Sequence, residues 1–118
     1  MIPNVYKKYI NTKRINNIIQ NDLLKEEFQQ LIINEYKYNQ GITAHIDHTK
    51  YFGPIIACLS IGSEATVIFS KDNKEEIITL NPGSLYIMTG ESRYKWYHSI
   101  IKNPNKINRY SLTFRTII

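Results

Sequence analysis

The sequence predicts an all-β fold, a sandwich or small barrel, with a short helical segment at the N-terminus. From about residue 31 onward, short runs rich in β-branched and aromatic residues alternate with turn sequences such as Asn81-Pro82-Gly83. One strand about every ten residues, with few helical patterns between, is typical of these two architectures. The predicted strands are Leu31–Tyr36, Ile42–Asp47, Ile55–Ser60, Ala65–Ser70, Glu75–Leu80, Ser84–Thr89, Lys95–Ile101 and Arg109–Ile117.

The segment ahead of these strands has helical features. A helix is predicted from residue 3 to about residue 20, where Pro3 suits the first helical turn. A second short helix is predicted over Leu23 to Gln29. The imperfect apolar stripe of the first helix consists of Val5, Tyr9, Ile15, Ile18 and Ile19.

Length and composition favour one small domain over residues 1–118, and we expect it to be a monomer. No run approaches the roughly 18 apolar residues needed to cross a bilayer, so no membrane segment is expected. The single cysteine, Cys58, cannot form an internal disulfide, which favours an intracellular location in the cytoplasm or nucleus. The net charge of +5 is compatible with a nucleic-acid partner, although a composition rich in Lys, Asn, Ile and Tyr also accounts for it.

Two histidines and one aspartate suggest a metal site. His45 and Asp47 flank Ile46 on a predicted strand, so their side chains should share one face while Ile46 faces the other. His98, from a distant strand, would complete a set of two imidazoles and one carboxylate, which non-haem Fe(II) oxygenases use. Alone, a His-x-Asp sequence is more often a surface turn, and a lone histidine more often belongs to the core. His48 is predicted to be a loop residue and not a ligand.

The last predicted strand carries two arginines, Arg109 and Arg115, on the same face. A bound dicarboxylate would explain cations on an otherwise buried strand, because the planar guanidinium pairs well with a carboxylate. Solvated arginines on an edge strand are the alternative. Six residues span about 20 Å, so both arginines reach one small anion only if their side chains lean inward or the strand is strongly twisted or bulged. Asn34 and Tyr36 also share a face, and they either bind such an anion or are ordinary strand residues.

Six segments in this order and spacing resemble the AlkB family of dioxygenases. Their amino-acid sequences are most similar to those of the tRNA-modifying animal homologues, and the segments span about residues 31 to 117. The segments are Asn34-Glu35-Tyr36, Gly41-Ile42-Thr43-Ala44-His45-Ile46-Asp47, Leu59-Ser60-Ile61-Gly62-Ser63, Leu80-Asn81-Pro82-Gly83-Ser84-Leu85, Met88-Thr89-Gly90-Glu91-Ser92-Arg93-Tyr94-Lys95-Trp96-Tyr97-His98 and Arg109-Tyr110-Ser111-Leu112-Thr113-Phe114-Arg115.

The resemblance implies a double-stranded β-helix, or jelly roll, and an Fe(II)- and 2-oxoglutarate-dependent dioxygenase that consumes O₂. It implies that Fe(II) is held by His45, Asp47 and His98. Arg109 is expected to bind the distal carboxylate of 2-oxoglutarate. The residues expected to contact this cosubstrate are Asn34, Tyr36, Arg109 and Arg115.

The resemblance further implies oxidative demethylation or hydroxylation of a modified nucleobase in RNA or DNA. Oxidation of a protein side chain and a catalytically silent metal-binding module of the same fold remain alternatives. A cupin-like metal-binding sandwich would not require arginines near the metal. A target base must be unstacked to reach the iron, and Tyr38, Tyr94 or Trp96 are candidates to stack on it.

Three departures or ambiguities accompany the resemblance. Ser111 stands where some members have an asparagine. Arg93 matches a recurrent arginine beside the third ligand, with either substrate contact or structural support as its role. Family members carry further residues before this core that form a nucleotide-recognition lid, most of which we expect to be lacking here.

Overall fold

The computed structural model describes residues 5–9 and 28–118, and it arranges them in two antiparallel sheets. The elements are β1 (Val5–Tyr9), β2 (Gln30–Tyr36), β3 (Ile42–His45), β4 (Phe52–Ile61), β5 (Ala65–Lys71), β6 (Lys74–Leu80), β7 (Ser84–Met88), α1 (Gly90–Tyr94), β8 (Tyr97–Ile100) and β9 (Arg109–Ile117). The five-stranded sheet has the order β1-β7-β4-β9-β2, and the four-stranded sheet has the order β3-β8-β5-β6. The all-β prediction is therefore confirmed, and all eight predicted strands are present.

The prediction of an N-terminal helix is wrong for residues 5–9. These residues form β1, which pairs antiparallel with β7 so that Val5 lies opposite Met88 and Tyr9 opposite Ser84. Valine and tyrosine favour strands, and pairing with an available sheet edge overrides a weak helical periodicity. Phe28 and Gln29, the last two residues of the second predicted helix, lie outside any helix or strand, and the remaining residues of both predicted helices lie outside the described residues.

The apolar residues of β4 alternate between two core clusters. Ile56 and Cys58 face the space between the sheets, where they pack with Val67, Phe69, Leu80, Tyr86, Met88 and Trp96. Ala57 and Leu59 face the other side of the five-stranded sheet, with Leu85 and Phe114. Because side chains alternate along a strand, β4 is buried on both faces and forms a rigid support for the strands beside it.

The short helix α1 connects β7 to β8 and was not predicted. Its N-terminus is closed by Ser92, whose Oγ accepts a hydrogen bond from the backbone N–H of Thr89 at 3.2 Å. Five residues are too few to show a helical repeat of apolar positions. In the part of the chain that the structure describes, no helix has the length and apolarity needed to cross a bilayer.

Candidate metal centre

Two imidazoles from neighbouring strands face each other at one end of the four-stranded sheet. β3 and β8 pair antiparallel with His45 directly opposite His98, and their ring centroids lie 4.2 Å apart. Asp47 follows β3 by two residues, and its Oδ1 lies 3.3 Å from Nε2 of His45 and 3.6 Å from Nε2 of His98. One ligand atom from each of the three residues lies within 4.8 Å of the others.

The spacing of these atoms fits a single metal ion. Nitrogen and oxygen ligands bound at about 2.1 Å and at right angles lie about 3 Å apart, close to the two shorter distances. Two imidazoles and one carboxylate on one side of an ion leave positions open for a chelating cosubstrate and O₂. The donor set is therefore the one that a non-haem Fe(II) site requires.

The strand predicted over Ile42–Asp47 ends earlier, at His45. The prediction that Ile46 faces away from the ligands assumed that the strand continues to Asp47, whereas Ile46 follows the strand and is among the residues that line the cavity. The chain leaves the sheet after His45, so strict alternation no longer applies beyond that residue. His48 lies in the loop that follows, as predicted.

The second oxygen of Asp47 is held by an arginine. Nη1 of Arg115 lies 3.2 Å from Oδ2 of Asp47, and Nε of Arg115 donates a hydrogen bond to Oε1 of Gln30 at 2.9 Å. The guanidinium also lies over the ring of Phe52, 3.7 Å from its centroid. With Oδ2 engaged in this way, Oδ1 is the oxygen directed at the two imidazoles.

The ionisation of the three ligands differs because their surroundings differ. Burial raises the pKa of Asp47, but the hydrogen bond from His45 and the charges of His98 and Arg115 outweigh burial and bring this pKa to about 2. Burial, followed by the neighbouring His45, lowers the pKa of His98 to about 4. The hydrogen bond to Asp47 raises the pKa of His45 above its usual value of 6.5. Just below pH 6.5, His45 is therefore the ligand that is mainly protonated in the metal-free protein.

Arg93 anchors the loop that carries Asp47. Its Nη1 donates to the backbone oxygen of Asp47 at 2.9 Å and its Nε to that of Gly53 at 3.0 Å. Nη2 donates to the backbone oxygens of His48 and Phe52, each at 3.2 Å. The side chain is only 2% exposed. Of the two roles left open for Arg93, the structure shows support of the ligand loop.

The metal centre opens onto a cavity of about 320 Å³ between the two sheets. Residues of β2, β4, β7 and β9 form one wall, and residues of β3 and β8 form the other. Arg109 is the one predicted site residue that this cavity does not include. The predicted residues that line it are Asn34, Tyr36, His45, Asp47, His98 and Arg115.

Arg109 lies toward the opposite end of β9 from Arg115 and is only 1% exposed. Its Nε donates to Oγ of Ser60 at 3.0 Å, whereas Nη1 and Nη2 have no hydrogen-bond partner among the described residues. Its guanidinium carbon lies 5.0 Å from the ring centroid of Tyr36. Tyr36 lines both the large cavity and a neighbouring one of about 200 Å³, which Arg109 also lines. A buried cation whose two terminal NH₂ groups have no partner among the described residues suits an anionic ligand.

The sequence did not reveal the supporting partners of the arginines. Ser60 and Gln30 lie on strands far from Arg109 and Arg115 in sequence, and no local motif marks them. The four carbonyl oxygens held by Arg93 are backbone groups and carry no sequence signal at all. Only the two arginines on one face of the last predicted strand, Arg109 and Arg115, pointed toward this network.

The sequence profile of the 2OG-Fe(II) oxygenase superfamily matches residues 4–115. Three relatives illustrate the match. The chain is 35% identical to the uncharacterized protein L905 of Acanthamoeba polyphaga mimivirus over 99% of this chain and 61% of the relative. It is 39% identical to the tRNA (carboxymethyluridine(34)-5-O)-methyltransferase alkbh8 of Xenopus tropicalis, over 82% of this chain and 15% of the relative. It is 29% identical to the DNA oxidative demethylase ALKBH2 of Arabidopsis thaliana, over 90% of this chain and 43% of the relative.

The chain thus spans about three fifths of the mimivirus protein and a smaller share of the other two. Among solved structures, that of OsALKBH1 matches with a TM-score of 0.63 and 21% identity, over 73% of this chain and 48% of the other. At this identity the likeness concerns the fold alone. It identifies the two-sheet architecture as the predicted double-stranded β-helix.

We expect Arg93→Lys to weaken metal binding about tenfold to a hundredfold, because lysine has one donor nitrogen in place of three and the ligand loop would loosen. The affinity for Mn²⁺, measured by titration calorimetry, checks this. Lys95→Ala is the matched control, since Lys95 is an exposed cation just after the same helix. An Arg93→Lys variant that binds Mn²⁺ as tightly as wild type would contradict the role assigned to Arg93.

We expect the logarithm of the Mn²⁺ association constant to rise with pH with a slope of about one between pH 4.5 and 6.5. In this window His98 is already neutral and Asp47 already ionised, whereas His45 must lose a proton before it binds the metal. Affinity therefore falls as pH falls. Competition titrations across this range provide the measurement, and a slope near two would show that a second ligand is also protonated.

Proposed function

The chain belongs to the 2OG-Fe(II) oxygenase superfamily and to its AlkB-like members, and from this premise we propose that it oxidatively demethylates or hydroxylates a modified nucleobase in RNA or DNA. The cofactors of this family are Fe(II), 2-oxoglutarate and O₂. The observation that carries the proposal is the meeting of His45, Asp47 and His98 beside a cavity. Next to this cavity lies a buried arginine whose terminal nitrogens have no hydrogen-bond partner among the described residues.

In the proposed mechanism, His45, Asp47 and His98 hold the metal through two nitrogens and one oxygen. Fe(II) bound there supplies the activation of O₂ that oxidises a substrate C–H bond while 2-oxoglutarate becomes succinate and CO₂. Arg115 keeps the carboxylate of Asp47 turned toward the metal by occupying Oδ2. Arg93 keeps the backbone of the same loop in place, so that ligand geometry does not depend on exposed side chains.

The proposed site for 2-oxoglutarate runs from the open side of the metal centre toward Arg109. The two terminal NH₂ groups of Arg109, which have no partner among the described residues, are suited to the distal carboxylate, because a guanidinium and a carboxylate form two parallel hydrogen bonds. Tyr36 lies beneath this guanidinium and also lines the metal cavity, so it connects the two ends of the proposed site. Asn34 lines the same cavity and offers an amide for the metal-binding end of the cosubstrate.

The names of two relatives support a nucleobase substrate. The Xenopus relative is named for a tRNA modification, and the Arabidopsis relative is named a DNA oxidative demethylase. A net charge of +5 is compatible with binding a polyanion. Methylated RNA and methylated DNA, offered in parallel to the Fe(II)-loaded protein, distinguish the two nucleic acids as substrate.

Wild-type protein, loaded anaerobically with Fe(II) and then given O₂ and 2-oxoglutarate, is expected to release succinate. His45→Ala removes one of the three metal ligands and is expected to abolish this release. Succinate is measured directly, and the reaction without 2-oxoglutarate is the control.

The same assay is repeated with methylated RNA, methylated DNA and methylated peptides, with formaldehyde as the second readout. Release stimulated by either nucleic acid supports the proposed substrate class. Stimulation by the peptides alone would replace it with protein side-chain oxidation, and the absence of succinate throughout would leave a silent metal-binding module.

Arg109→Lys is expected to weaken the binding of 2-oxoglutarate to the Mn²⁺-loaded protein about tenfold to a hundredfold, because lysine retains the charge but loses the paired hydrogen bonds. Titration calorimetry gives the affinity. Lys106→Ala, which removes an exposed charge elsewhere, should bind 2-oxoglutarate as wild type does. Unchanged affinity in Arg109→Lys would show that the distal carboxylate binds elsewhere.

A further inference from the structure

The loop that carries Asp47 also presents a pair of stacked rings. His48 and Tyr51 lie face to face, with ring centroids 3.8 Å apart and planes only 11° from parallel. His48 lines the metal cavity, and Tyr51 is 65% exposed. The pair therefore begins at the wall of the cavity and extends onto the surface beside it.

The stacked pair is held in place by backbone hydrogen bonds. Nδ1 of His48 accepts the backbone N–H groups of Lys50 at 3.2 Å and of Tyr51 at 3.3 Å. The backbone oxygen of His48 accepts the N–H of Phe52, and that of Tyr51 accepts the N–H of Ile118 at 3.0 Å. Because Nδ1 is an acceptor, the proton of the neutral ring lies on Nε2, which remains available as a donor.

An ordered and exposed aromatic surface is suited to binding a flat partner. Single exposed aromatics are common and require no explanation. Here, two rings are already parallel in the free protein, so little conformational entropy remains to be lost when a third ring joins them. Stacking of one nucleobase on an aromatic side chain is worth about 1–3 kcal/mol and tolerates any base.

We propose that His48 and Tyr51 form a stacking platform for the nucleobase adjacent to the one that is oxidised, in a single-stranded nucleic acid. This inference rests on the proposed function. The target base has to enter the metal cavity, so a surface outside the cavity is placed to bind the nucleobase next to it. His48 directly follows Asp47, and successive Cα atoms lie about 3.8 Å apart, so the platform begins within reach of an adjoining nucleotide.

The groups around the platform match a nucleotide better than a peptide. The exposed Lys50 lies between the two rings in sequence and supplies a charge for a phosphate, and Nε2–H of His48 supplies a donor for a base or phosphate oxygen. Every nucleotide combines a flat ring with a phosphate, whereas a peptide offers an aromatic ring only at certain residues. The platform thus adds a contact that does not depend on base identity.

The test measures the affinity of the Mn²⁺-loaded full chain for a short fluorescein-labelled single-stranded RNA without modified bases, by fluorescence anisotropy. Tyr51→Leu removes the aromatic face but keeps an apolar side chain, and it should weaken binding about 5- to 100-fold. Tyr51→Phe keeps the ring and should bind as wild type does. Tyr97→Leu is the matched control, because Tyr97 is an exposed tyrosine next to His98 on β8 and is not among the residues that line the cavity.

Affinity for Mn²⁺ is measured on the same proteins as a check on the loop. Loss of RNA affinity in Tyr51→Leu with unchanged Mn²⁺ affinity supports the platform. The proposal is overturned by equal RNA affinity in Tyr51→Leu and wild type, by absence of RNA binding to wild type, or by a parallel loss of Mn²⁺ affinity, which indicates a structural role.

This outcome is separable from that of the proposed function. RNA binding that depends on Tyr51, in a protein that releases no succinate, would keep the stacking contact and rule out the proposed activity. Succinate release stimulated by methylated RNA, with no effect of Tyr51→Leu on RNA affinity, would support the proposed activity and overturn the platform. Selective capture of an aromatic peptide, with no RNA binding, would overturn the platform in favour of a protein partner.

Discussion

The structure depends above all on how Asp47 is held. Its carboxylate places one oxygen between two imidazoles and the other against Arg115, while its backbone oxygen accepts a hydrogen bond from Arg93. Two arginines from different elements thus constrain one short residue in both its side chain and its main chain. Because Asp47 lies outside any strand, these contacts replace the support that a sheet would otherwise provide.

The sandwich serves this arrangement by placing charged groups between two apolar layers. β9 contributes both Arg109 and Arg115, and it is paired on one side with β2 and on the other with β4, which is buried on both faces. A strand fixed in this way holds its side chains at constant separations. The two arginines therefore occupy opposite ends of the functional region and serve different partners.

Much of the fold could be predicted from the sequence because strand patterning is local. Period-two alternation and turn residues such as Asn81-Pro82-Gly83 sufficed for the strands of both sheets. β1 could not be predicted, since residues 5–9 become a strand only by pairing with β7. The assignment of a helix there used a weak periodicity that tertiary contacts override.

The candidate site was also partly predictable from the sequence. His45, Asp47 and His98 are recognisable as types that bind metal, and a resemblance connected them across the chain. The role of Arg93 could not be chosen from the sequence because its partners are four backbone oxygens. Likewise, the stacked pair of His48 and Tyr51 depends on the path of the loop, which no periodicity describes.

The position of β3 has a consequence for the dynamics of the sheet. β3 has four residues and lies at the edge of the four-stranded sheet in the described part of the chain, paired to β8 alone. Short edge strands fray readily, and here fraying would carry one imidazole away from the other. An ion bound by both imidazoles would hold β3 against β8 at this edge. Hydrogen exchange of the β3 amides and occupancy of the metal centre are therefore two readouts of one equilibrium.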